Sequence, residues 1–156
     1  MDKLARVLAI MSTGLLAGAF VYAFFTVVPT LDEVSREVHF TYRVALMRHN
    51  GIYMQIMMGL SILTPLWWAY TIRGSAGART LAILASLLSL TSLLVTRFGN
   101  VPINQMIKTW SAVAPPFGYQ DQLQRWVVFH NVRTATAAAS FLFVVIADVY
   151  SSMRRT

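Results

Sequence analysis

The sequence contains no cysteine among its 156 residues. Disulfides, thiolate nucleophiles, iron–sulfur clusters bound by cysteine and thiolate zinc sites are therefore excluded. The sequence also lacks a glycine-rich phosphate loop with its lysine, a Gly-x-Ser-x-Gly nucleophile turn and a convincing pair of catalytic carboxylates. Common hydrolase and nucleotide-binding classes are thus disfavoured, and any chemistry must use other side chains.

Charge is also scarce, because only 12% of the side chains are Asp, Glu, Lys or Arg while 56% are hydrophobic. An ordinary soluble domain carries roughly twice that share of charge, about 25%. Four long apolar runs are predicted to be membrane spans, at about residues 4–28, 52–72, 80–96 and 126–150. Each has roughly 17 to 25 residues, enough for a helix to cross a ~30 Å hydrocarbon core. The sequence therefore predicts one all-α domain over residues 1–156, an integral membrane four-helix bundle.

The polar segment between the first two spans is predicted to contain a further helix. His39 precedes Arg43 by four positions, which is the spacing of neighbours on a helix surface. This pattern favours either an amphipathic helix at the membrane interface or an extension of the second span. In both cases His39 and His49 are expected to be solvated.

The segment between the third and fourth spans is predicted to break and restart the chain. Gly99 is a natural helix stop, and Asn100 can cap a new helix whose first turn tolerates Pro102. A helix beginning there places Asn104 on the same side as Asn100. The Pro-Pro-Phe-Gly run at residues 115–118 is then expected to end this short helix.

Basic residues in the short segments predict the orientation in the membrane. Three such segments are expected on one side: they contain Lys3, Arg6, Arg73, Arg79, Arg154 and Arg155. Since Lys and Arg favour the cytoplasmic side, both termini are predicted to be cytoplasmic, in a bacterial inner membrane. The net charge of +7 favours contact with anionic lipid rather than nucleic acid, because no basic stripe carries interleaved aromatics outside the spans.

The fourth span opens with polar side chains on one helical face. Trp126, His130 and Arg133 recur at positions i, i+4 and i+7. An ionisable side chain at mid-membrane costs about 2.5–3.5 kcal/mol or more, and it usually faces the bundle interior or a wet cavity. The plainer alternatives are snorkelling of Arg133 to the interface and a structural hydrogen bond for His130.

Two motifs resemble a known family. FGNVPIN follows the third span, Trp110 comes next, and RWVVFHNVRT opens the last span. In this order the motifs resemble the anthrone oxygenase-like family, whose length and four spans also suit this chain. For its fungal members the resemblance implies oxidation of an anthrone to an anthraquinone by molecular oxygen, without flavin or haem. The implied substrate is a lipophilic anthrone- or phenol-like aromatic, and oxygen is the co-substrate.

Such a reaction needs a base, an oxyanion site and a flat apolar slot. His130 is the candidate base, because the unperturbed pKa of imidazole lies close to neutral pH. Three side chains are candidate hydrogen-bond donors to the developing oxyanion, a role that is stronger in a water-poor site: Asn100, Asn104 and Arg133. The candidate substrate-binding residues are Trp110, Trp126 and Arg97, the two tryptophans by stacking on a polycyclic ring. No cofactor is predicted.

Two other functions stay open at this point. The first is a metal or haem site built from three histidines: His39, His49 and His130. Three histidines suffice for zinc or copper, although no short His-x3-His spacing joins them. The second is a non-catalytic subunit that binds a membrane partner or a second copy of the chain. A methionine group on the second span is compatible with it, since methionine adapts to irregular contacts: Met54, Met57 and Met58.

Overall fold

The computed structural model describes residues 2–153, and Arg154 and Arg155, used above for the orientation, lie outside the described residues. The helices follow one another in this order: α1 Asp2–Tyr22, a π-helical turn Ala23–Val27, α2 Val28–Glu33, α3 Arg36–Thr71, α4 Ala76–Val95, a second π-helical turn Thr96–Asn100, α5 Val101–Ile107, and α6 Tyr119–Met153. The two π-helical turns join their neighbours without interruption. Helices α2 and α5 therefore continue α1 and α4 at the same end of the molecule.

Four continuous stretches are long and apolar enough to cross a membrane, and we call them spans 1 to 4: Lys3–Glu33, Arg36–Thr71, Ala76–Ile107 and Tyr119–Met153. Spans 1 and 3 each pack against spans 2 and 4, so the helices form a four-cornered bundle. In lipid a helix satisfies its own backbone hydrogen bonds. The predicted all-α membrane bundle is confirmed, and α2 and α5 are its short extra helices.

Span 2 begins earlier than predicted. Helix α3 starts at Arg36, and the Ser35 hydroxyl caps it by accepting a hydrogen bond from the backbone N–H three residues on. The polar segment is therefore an extension of the span, one of the two predicted alternatives. The predicted solvation of His39 is wrong, because this side chain is only 7% exposed, whereas His49 is exposed.

The predicted break at Gly99 is also wrong. Asn100 has helical angles, φ −74° and ψ −40°, and its side chain makes no capping hydrogen bond. The chain instead continues through the π-helical turn into α5. Glycine is required here by packing, since a Cβ on Gly99 would lie 2.5 Å from the ring of Phe129 in span 4. The short helix also ends earlier than predicted, at Ile107 rather than at residues 115–118. Residues 115–118 are non-helical, and α6 begins directly after them.

Small side chains form the core in the half of the bundle near the termini. This core is rich in alanine: Ala5, Ala9, Ala69, Ala78, Ala82, Ala85 and Ala147 are all buried. Hydroxyl groups join the spans, with Ser89 and Ser140 2.8 Å apart and Ser12 and Thr64 2.7 Å apart. Close packing and such hydrogen bonds, worth about 0.6–2 kcal/mol each, hold membrane helices together.

The methionine group of span 2 belongs to a second core cluster. Met58 is buried with Leu16 and Phe20, and Met54 and Met57 pack against them. The methionine group, which is compatible with a subunit function, therefore packs inside the bundle.

Polar residues concentrate at the end of the bundle that lies opposite the start of α1. Helix α3 has 36 residues, and at about 1.5 Å per residue it exceeds a ~30 Å hydrocarbon core by several turns. Its first turns therefore extend toward the level of the lipid head groups. Helices α2 and α5 and the start of α6 meet them there.

Candidate functional site

The centre of the site lies on the first turns of α6. The His130 side chain is fully buried and stacks on Trp126, with ring centroids 5.2 Å apart and planes at 11°. Arg133 Nε and Nη2 lie 3.1 Å and 3.0 Å from His130 Nδ1. Because a guanidinium has no acceptor, Nδ1 accepts, and the proton of the neutral imidazole is on Nε2. The predicted common face of these three residues is thus realised as one contact network.

Two amide side chains of span 3 bind Trp126 from the side. Asn100 Nδ2 donates to the Trp126 carbonyl oxygen at 3.0 Å, and the indole Nε1 donates to Asn104 Oδ1 at 2.8 Å. Asn100 Oδ1 and His130 Nε2 are buried and have no hydrogen-bond partner among residues 2–153. The structure therefore brings four of the predicted site residues together around Trp126.

A second histidine and arginine pair enters from α3. Arg43 is 4% exposed, and its Cζ lies 4.3 Å from the centroid of the Trp126 ring. Its Nε donates to His39 Nε2 at 2.8 Å. His39 Nδ1 therefore carries the ring proton and donates to the Leu31 carbonyl oxygen at 2.6 Å. The sequence interpretation named His39 only as a possible metal ligand and did not place Arg43 in the site, although the two are spaced i, i+4 and the similar pair on α6, His130 and Arg133, is spaced i, i+3.

Span 1 completes the site with an aromatic ring. Phe20 lies under the Arg133 guanidinium, with the arginine Cζ 4.6 Å from the centroid of the phenyl ring. The phenyl ring also makes an edge-to-face contact with the His130 ring, with the two centroids 6.3 Å apart. All four spans therefore contribute to what we call the Trp126 cluster: Phe20, His39, Arg43, Asn100, Asn104, Trp126, His130 and Arg133. This convergence shelters polar side chains at one end of a membrane bundle.

Other predicted site residues lie outside the cluster. Trp110 belongs to a neighbouring aromatic group, with its ring centroid 5.6 Å from that of Phe40 and 6.2 Å from that of Tyr119. Phe40 in turn contacts the His39 ring at 5.8 Å. Arg97 is exposed, and its side chain makes no hydrogen bond, ion pair or ring contact with the residues that the structure describes. The three histidines of the metal alternative do not assemble, and no group of three His, Asp or Glu side chains within residues 2–153 is arranged to hold a metal ion.

An open cleft of about 340 Å³ adjoins the cluster. It lies between the end of span 1 and the start of α3, and Tyr22, Leu31, Val38 and Tyr42 are among its lining residues. Leu31 joins the two features, because its side chain lines the cleft and its carbonyl oxygen binds His39. A volume of roughly 300–1,000 Å³ is typical of small-molecule sites.

The bundle and the cluster define a class, that of small four-span membrane proteins with a sheltered polar site at one end. Comparison with known protein families matches residues 45–143 to the anthrone oxygenase family, so the chain belongs to this family. The matched range contains the cluster residues of spans 3 and 4. It leaves out Phe20, His39 and Arg43. No curated protein and no solved structure matches the chain.

Proposed function

We propose that this protein oxidises a lipophilic anthrone- or phenol-like aromatic with molecular oxygen. The supporting observation is the pair of buried, unpartnered atoms beside Trp126, His130 Nε2 and Asn100 Oδ1. A buried polar group without a partner costs about 1–3 kcal/mol in proteins, and such groups persist mainly where they serve a function. One is a donor and the other an acceptor, which suits an aromatic ligand carrying both a carbonyl and a hydroxyl group. Membership of the anthrone oxygenase family supports the same reaction class.

The proposed reaction uses the acidity of the anthrone methylene, which lies between two aromatic rings and is conjugated to the carbonyl group. Removal of one proton gives an enolate, which passes one electron to oxygen and forms a carbon radical and superoxide. These combine into a hydroperoxide at the methylene carbon, and the removed proton is returned to its terminal oxygen. Loss of water then breaks the O–O bond and the remaining C–H bond. One anthrone and one oxygen molecule yield one anthraquinone and one water.

The cluster supplies the groups for the first step. Arg133 occupies the Nδ1 lone pair of His130 in this arrangement, so the imidazole can accept a proton there only after the guanidinium moves. A substrate carbonyl oxygen that gains negative charge attracts the guanidinium, and this exchange frees Nδ1 to act as the base. Asn100 and Asn104 also contact Trp126 through their amides, and the amide atoms that remain free can orient the substrate.

We expect the purified protein in detergent to consume oxygen when an anthrone is added, and to form anthraquinone faster than spontaneous oxidation does. With isotopically labelled oxygen, the new carbonyl group should carry the label, because the carbon–oxygen bond forms from molecular oxygen. Mass spectrometry of the product and an oxygen electrode measure both effects. Heat-denatured protein in the same detergent is the control. A rate equal to that control across anthrones and hydroxylated phenols contradicts the proposed function.

We also propose that the termini face the cytoplasm of a bacterial inner membrane, which places the Trp126 cluster at the outer side. Because the chain has no cysteine, single cysteines report accessibility without background. Val113 is 93% exposed in the connection before α6, and Ala76 is exposed at the start of α4. In intact spheroplasts a membrane-impermeant maleimide should label Val113→Cys but should label Ala76→Cys only after permeabilisation. The reverse labelling pattern contradicts this orientation.

A further inference from the structure

The Trp126 cluster holds two cations and no carboxylate. Arg43 and Arg133 lie over the same indole ring, with Cζ 4.3 Å and 5.5 Å from its centroid. Within residues 2–153 the ion pair is that of Arg6 with Asp148, toward the other end of the bundle. Asp32 acts on Arg43 electrostatically, but it is exposed and forms no ion pair with it. The two like charges beside this ring therefore repel each other.

The neighbouring groups do not neutralise these charges. Each guanidinium donates to a histidine nitrogen, and that nitrogen is a neutral acceptor because it must offer a lone pair. The aromatic faces of Trp126 and Phe20 add cation–π attraction but carry no net charge. A buried charge without a counter-charge is strongly unfavourable in proteins. Arg43 is buried and Arg133 is half-buried, so an anionic ligand would supply the counter-charge that this arrangement lacks.

We propose that the Trp126 cluster binds an acidic aromatic molecule, with its carboxylate or phenolate between Arg43 and Arg133 and its ring plane against the surrounding aromatic side chains. Planar guanidinium groups match such oxygen pairs in geometry and charge. An aromatic ligand is favoured over a lipid phosphate because Phe20, Trp126 and His130 form ring contacts around the same point. That this ligand is the substrate rests on the proposed function. That the cluster binds an acidic aromatic ligand does not rest on it.

The test compares two fluorescent probes of equal ring size, anthracene carboxylate and methylanthracene, with the full chain in detergent. We expect Arg43→Gln to weaken binding of the carboxylate about tenfold or more, since hydrogen bonds to charged groups are among the stronger ones. Binding of methylanthracene should change less than about twofold, because its ring contacts remain. The matched control is Arg48→Gln, because Arg48 is exposed and lies five positions further along α3. Fluorescence titration measures both affinities.

Several results overturn the proposal. One is equal weakening of both probes by Arg43→Gln, which assigns Arg43 a structural role only. Another is a wild-type protein that does not prefer the carboxylate over methylanthracene. A third is displacement of the carboxylate by phosphatidylglycerol nanodiscs but not by phosphatidylcholine nanodiscs, which identifies a lipid head group as the natural anion.

Two further measurements keep the test decisive. If Arg43→Gln does not fold, Arg43→Lys is the second variant, because lysine keeps the charge but lacks the planar guanidinium. It should weaken binding of the carboxylate without abolishing it, and it should leave binding of methylanthracene unchanged. Retained full affinity in the lysine variant together with unchanged probe selectivity contradicts a two-guanidinium site. Binding is measured without turnover, so an inactive protein that still selects the carboxylate refutes the oxygenase reaction and leaves the acidic-ligand site standing.

Discussion

Replacing His130 with alanine is expected to lower anthrone turnover about 10²- to 10⁴-fold, the usual contribution of a positioned acid–base group. The imidazole is fully buried, stacked on Trp126 and held by Arg133. The other histidine of the Trp126 cluster, His39, is held by Arg43 and by the Leu31 carbonyl oxygen instead. Oxygen uptake by the purified variant, corrected for spontaneous oxidation, measures the loss.

Three comparisons separate a catalytic role for His130 from a structural one. Added imidazole should restore part of the activity of His130→Ala, because the substitution leaves space for it, whereas a misfolded protein would not respond. His49→Ala should retain full activity, since His49 is exposed on α3; a metal site built from the three histidines predicts a loss in both variants. Unchanged turnover in His130→Ala removes this residue as the base.

The number of spans and the polar face of the fourth could be predicted because both depend on local sequence. A run of about 20 apolar residues has few other stable structures in water or lipid. The i, i+4, i+7 spacing of Trp126, His130 and Arg133 places them on one face of any helix. Ionisable groups on a membrane helix then face the interior, as Arg133 does over Phe20.

The other half of the cluster could not be predicted, because it depends on which helix covers which face. The spacing of His39 and Arg43 predicts that they are neighbours, and it says nothing about the indole of Trp126, which covers Arg43 from span 4. Charged side chains near a span end are usually solvated, so the local expectation was exposure. Likewise, Trp110 follows the third span closely in sequence, yet its ring packs against Phe40 and Tyr119.

Three of the cluster residues lie before the range that matches the family. The family match begins at residue 45, so the ring of Phe20 and the guanidinium of Arg43 come from a region that the match does not include. Spans 3 and 4 thus supply the histidine, the amides and the indole. Spans 1 and 2 supply the second cation, which in the site proposed above selects an acidic ligand.

Gly99→Ala is expected to destabilise the bundle by about 1–3 kcal/mol, which is the usual effect of overpacking a close contact. The added Cβ would meet three atoms of the Phe129 ring at 2.5 Å, 2.7 Å and 2.8 Å, at the base of the ring where the side chain cannot bend away. Either span 4 or the π-helical turn must move. Asn100 follows directly, so its hydrogen bond to the Trp126 carbonyl oxygen should weaken, and activity should fall together with the midpoint of thermal unfolding.

A double-mutant cycle with Phe129→Ala distinguishes this contact from a general effect of losing a glycine. If the clash is the cause, removing the ring restores room for the new methyl group, and the double variant should be more stable than the sum of the two single losses predicts, by a coupling of roughly 1 kcal/mol or more. Gly59→Ala in α3 is the matched control, because nothing lies within 4 Å of its added Cβ and alanine favours the helix. Strictly additive losses, or a Gly99→Ala protein as stable as the wild type, contradict the view that glycine is needed here for helix contact.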